Sequence, residues 1–84
     1  MDTTDFNILK AISDLKVANP KADRINAIVH LDPEELGARL GVLEMEGYIK
    51  TQSGTSSSDS LPNGIYAAGL TNLGRRALTG NRWQ

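Results

Sequence analysis

The chain has 84 residues, room for one domain, 1–84, able to bury about 60–65% of the surface its unfolded form exposes. Its composition, 39% hydrophobic and 23% charged, is that of an ordinary globular protein, and the lack of cysteine excludes disulfides, thiolate chemistry and cysteine-based zinc sites. A net charge of -1 excludes a strong whole-molecule attraction to a polyanion, but the charge is segregated. Asp32, Glu34, Glu35, Glu44 and Glu46 crowd the middle, whereas Arg75, Arg76 and Arg82 follow the last acid, Asp59.

The opening MDTTDFNILK carries two aspartates where a secretory signal needs positive charge, and no apolar run approaches a membrane span, so a cytoplasmic protein is expected. Thr3 or Thr4 can cap a first helix whose Ile8, Leu9, Ile12 and Leu15 recur at three- and four-residue spacing, and Asn19-Pro20 ends it. KADRINAIVHL restarts the pattern with Ala22, Ile25, Ile28 and Val29.

The DPEE run is the strongest start signal. Asp32 can accept from the Glu35 amide, Pro33 occupies the first helical position at no hydrogen-bond cost, and Glu35 can reach back to the cap. Leu36, Leu40 and Leu43 then form one stripe, and Gly47 suits the left-handed stop. Only His30, Leu31 and Asp32 separate the second and third helices, a turn of helix-turn-helix length.

Beyond Gly47 the period changes. Tyr48 to Ser53 and IYAAGLT can pair as a hairpin around the loop-forming SGTSSSDSLPNG, and Thr71 can cap a last helix with Leu73, Ala77 and Leu78 as its apolar members. Catalytic patterns are missing. His30 is the sole histidine, no glycine-lysine phosphate loop or three-glycine dinucleotide fingerprint occurs, and Glu34 and Glu35 are adjacent and point apart, so no enzyme, cofactor or metal is expected.

The runs LGVLEMEGYIK and GIYAAGLTNLGRRAL, in that order around a Ser/Gly-rich loop, resemble the recognition-helix end and the second wing strand of bacterial and archaeal winged helix-turn-helix regulators. The resemblance covers nearly the whole chain. It implies an α+β winged helix: a three-helix helix-turn-helix core, a two-stranded β-hairpin wing and a short C-terminal helix. It also implies a dimeric transcriptional regulator bound to double-stranded DNA.

Carried over residue by residue, the groove-facing positions are Glu34, Glu35, Gly37, Ala38 and Gly41, with Arg39 the single cation on that helix. The two glutamates serve equally as first-turn dipole complements, and beside phosphates they repel. Phosphate contacts fall to Lys21, Arg24, Lys50 and the hydroxyls of Thr55, Ser56, Ser57 and Ser58, each with an alternative as solvated surface. Gly37 and Gly41, beside Ala38, Val42 and Met45, form a smooth strip that could pack another helix in a homodimer or a protein partner. Trp83 either plugs the core or anchors the dimer. The competing role is an interaction module that docks a protein through its third helix and binds no nucleic acid.

Overall fold

Helical spacing of the apolar residues turns Ile8, Leu9, Ala11 and Ile12 of α1 (Thr3–Leu15) inward, where Ile25 of α2 (Ala22–Val29) and Leu36, Leu40 and Leu43 of α3 (Pro33–Met45) meet them. The computed structural model describes residues 3–54 and 60–80. β1 (Ile49–Ser53) and β2 (Ile65–Leu70) close the core with Ile49, Ile65 and Ala68, and α4 (Asn72–Gly80) packs Ala77 and Leu78 against it. This is the winged helix the sequence motifs imply.

Among the described residues the sheet is a two-stranded antiparallel hairpin, with Ile49 opposite Leu70 and Gln52 opposite Ala67; a bulge then sets Ser53 opposite Ile65. The other edge of β2 is also used. Lys21 pairs with Ala67, and the Ala68 amide donates to the Pro20 carbonyl at 3.1 Å, tying the start of α2 to the wing.

The two ends of α3 are built differently. At its start the Asp32 carboxylate accepts from the Glu34 amide at 3.1 Å rather than from Glu35, whose side chain turns to Arg39 instead of back to the cap. The preceding turn is closed by Asn26, whose Nδ2 donates to the Leu31 carbonyl at 2.8 Å while its Oδ1 accepts from the Leu31 amide at 2.7 Å. His30 ends α2 in the left-handed conformation, its amide donating to the Asn26 carbonyl.

At the far end Gly47 takes φ +90°, the left-handed stop expected of it. The Thr71 hydroxyl donates to the Gly47 carbonyl at 2.6 Å and accepts from the Gly74 amide at 3.1 Å, capping α4 as expected, while the Thr71 amide donates to the Tyr48 carbonyl. A Cβ on Gly74 would collide with that same Tyr48 oxygen. The junction of α3 and the wing is thus tied to the start of α4 by the Thr71 hydroxyl, the Thr71 amide and the close approach of Gly74 to Tyr48.

Three smaller expectations are corrected. Thr3 and Thr4 lie within α1 and so are not its cap. Ile28 and Leu73 are 45% and 46% exposed: the short α2 turns only Ala22 and Ile25 fully inward, and in α4 it is Gly74 that is buried.

Candidate nucleic-acid interface

Leu36, Leu40 and Leu43 go into the core, so the opposite side of α3 faces outward, carrying Glu34, Glu35, Ala38, Val42 and Met45. Met45 is 87% exposed and Val42 is half-exposed. Gly41 is partly buried, but among the described residues nothing outside its own helix turn lies within 4 Å of where its Cβ would stand. Glu34, Glu35, Ala38 and Gly41 on this side are positions the resemblance assigns to the major groove, and Val42 and Met45 belong to the strip expected to pack another helix.

Its two flanks are closed by the protein's own chain, which the helical pattern did not reveal. Gly37, expected among the groove-facing positions, is buried. Asn63, from the return of the wing, donates through Nδ2 to the Gly37 carbonyl at 2.8 Å, and a Cβ on Gly37 would sit 2.9 Å from its Oδ1. The same Oδ1 accepts from the Ile65 amide at 3.3 Å. A single asparagine therefore bridges α3 and the start of β2.

On the opposite flank Arg39, expected as the one cation able to reach a base edge, is drawn sideways. Its Nε donates to Glu35 Oε2 at 3.0 Å, one helical turn away, and its Nη1 to Asp5 Oδ1 of α1 at 3.3 Å. The Arg39 side chain is 29% exposed and that of Asp5 only 14%. Asp5, Glu35, Ala38, Arg39 and Val42 line a shallow cleft of about 230 Å³ between α1 and α3.

The other expected phosphate contacts stand apart from this cleft. Lys21 and Arg24 are exposed at the start of α2 and line a separate depression with Asn19, Pro20 and Asp23. Lys50 is exposed on β1 opposite Gly69. Opposed residues of an antiparallel pair share a sheet face, so the register puts Lys50 and, across β2, Lys21 on the same side, about 10 Å apart across the strands and about 7 Å along them. Thr55, Ser56, Ser57 and Trp83 lie outside the described residues, as do Ser58 and Arg82.

Among the described residues no group of three or more histidines or carboxylates could hold a metal ion, and no helix is long and apolar enough to cross a membrane. No sequence pattern marks Asn26, Asp5 or Asn63 as structural or functional residues. Each acts on a residue five or more positions away, and no motif or period marks such a pairing.

No protein-family model matches the chain, and no curated protein matches it by sequence. Solved structures do match. BpsR of Bordetella bronchiseptica, described in terms of regulation of its DNA binding by 6-hydroxynicotinic acid, aligns with a TM-score of 0.76 over 95% of this chain and 55% of its own, at 12% identity. ZitR, a zinc-responsive MarR family member of Lactococcus lactis, gives 0.71 over 98% and 51% at 17% identity. A MarR-family transcriptional regulator from Silicibacter pomeroyi gives 0.70 over 99% and 50% at 16% identity. The chain spans about half the length of these structures, and the likeness is one of fold.

Proposed function

We propose that this is a cytoplasmic, non-catalytic DNA-binding protein, a small transcriptional regulator that presents the start of α3 to the major groove of duplex DNA. The observation that carries this reading is that nearly the whole chain adopts the winged-helix arrangement of the MarR-type regulators while the outer side of α3 stays uncovered. Phosphate contacts from Lys21, Arg24 and Lys50 supply most of the affinity, because Glu34, Glu35 and Ala38 offer few ways to read a base.

The charge content makes the test quantitative. The phosphate contacts of Lys21, Arg24 and Lys50 alone correspond to a slope of about -2.7 in log affinity against log salt, so affinity for mixed-sequence duplex should fall at least about 40-fold between roughly 50 and 200 mM salt. Fluorescence anisotropy measures this directly. No binding at the lower salt would remove the reading. The proposed regulator is a dimer with Gly41, Val42 and Met45 at its contact, and sedimentation showing only monomer at high concentration would remove that part.

A second reading is favoured by the chemistry of the same helix. Glu34, Glu35, Glu44 and Glu46 surround the strip of Ala38, Val42 and Met45, and the one α3 cation pairs with Glu35 and Asp5. An acidic rim around an apolar strip suits a basic protein partner better than a phosphate backbone, and an interaction module of this kind would show no salt-dependent duplex binding.

A further inference from the structure

Among the described residues Arg39 pairs with two carboxylates of its own chain. Glu35 lies on the same helix, at the spacing where such pairs form routinely, but Asp5 lies 34 residues earlier on a different element. Asp5 sits at the α1 side of the cleft, with a side chain only 14% exposed. The Arg39 guanidinium is therefore directed across the side of α3 toward α1, off the outward stripe of Glu34, Ala38 and Met45.

We infer that Asp5 and nucleic-acid phosphate are alternative partners of Arg39, so that Asp5 limits the affinity of the α3 face for DNA. The inference rests on the DNA-binding reading above. An arginine forks equally well onto a carboxylate and onto a phosphate, and it cannot lose its charge, so the two anions compete for one invariant cation. Arg39 is attached next to Ala38, at the edge of the exposed stripe, and its side chain is still 29% exposed. Rotation about its own side-chain bonds carries the guanidinium from the cleft to the groove side without moving the helix. Each binding event then gives up an internal ion pair, and the measured affinity is lower than the cation could provide.

This assigns Asp5, a residue of α1 outside the helix-turn-helix, a role in setting affinity. Asp5→Asn keeps the shape and removes the α1 carboxylate from the competition, leaving the Glu35 pair in place. Affinity for mixed-sequence duplex should rise about two- to fivefold, the factor expected for relieving one partly exposed ion pair. Removing any acid weakly favours a polyanion, so the same substitution is made alongside Arg39→Ala, where only that general effect survives and the gain should fall below about 1.5-fold.

Equal gains in the two backgrounds, with the wild-type protein binding duplex, would overturn the competition while leaving the DNA-binding reading intact. No duplex binding by the wild-type protein or by either variant at low salt would overturn both. A second measurement needs no variant to fold. In the wild-type protein the Arg39 Nε–H resonance should shift on titration with duplex as the Asp5 and Glu35 contacts are exchanged, and a resonance that stays unmoved while backbone amides of α3 shift would also overturn the inference.

Discussion

The two ends of α3 face the same problem, holding one helix at a set angle, and solve it with different chemistry. At the start, Asn26 satisfies both backbone groups of Leu31 and Asp32 caps the first turn, so the joint is a set of hydrogen bonds, the Asp32 one exposed and the Asn26 pair half-buried. At the end, Gly47, Tyr48, Thr71 and Gly74 bring two backbone segments together so closely that one position has no space for a methyl group. Hydrogen-bonded joints degrade in steps as partners are removed or exchanged with water. A joint made by close approach fails when atoms are added.

Gly74→Ala breaks the second kind of joint most directly. The new Cβ would meet the Tyr48 carbonyl oxygen, which also accepts from the Thr71 amide, so relief by backbone shift sacrifices that bond. A loss of about 3 kcal/mol, at the upper end of overpacking costs, is expected. For a domain of this size that lowers the thermal midpoint by on the order of 15 °C, followed by circular dichroism. A midpoint within a few degrees of wild type would mean the joint opens freely.

Thr71→Val tests the polar part of the same joint. It keeps the volume and removes both the bond to the Gly47 carbonyl and the cap on Gly74, at an expected cost of about 2 kcal/mol by denaturant titration. Asn26→Ala, at the other end, strands the Leu31 amide and carbonyl in a half-buried turn where water can partly replace the side chain, so about 1–2 kcal/mol is expected. Should Asn26→Ala cost more than Gly74→Ala, the contrast between the two joints would be reversed.

The same contrast governs what could be read from the sequence. Features set by neighbouring residues were legible: the Asp32-Pro33 start, the leucine stripe, the left-handed Gly47 and the Thr71 cap are each decided within one or two turns of chain. The candidate site was legible only as a face. Its flanks depend on Asn63 reaching Gly37 across 26 residues and Asp5 reaching Arg39 across 34, and such pairs carry no periodic signature. Place on the helix alone directs Gly37 and Arg39 outward, while the burial of one and the sideways draw on the other come from elements placed beside them by the fold. Glu35 misled for a related reason. The capping-box spacing was present, but Arg39 one turn on offered a charged partner that a capping amide does not match.

Gly41 separates the face itself from its flanks, and carries the smallest expected effect. It lies inside α3, has an ordinary helical backbone, and among the described residues has no neighbour within 4 Å of where a Cβ would be built, so Gly41→Ala should stabilise the free protein by about 0.5–1 kcal/mol through helix propensity alone. That gain is independent of function and shows that the substitution is tolerated. Binding then reports on contact. A bare glycine backbone admits closer approach than alanine, so if a duplex or a partner helix lies against this part of α3, the variant will be more stable yet bind more weakly. If the face engages DNA only through its first turn, near Glu34 and Ala38, stability will rise while affinity and its salt dependence stay as they were. A substitution that strengthens the fold and weakens the complex would place the contact at Gly41, because no loss of structure could account for it.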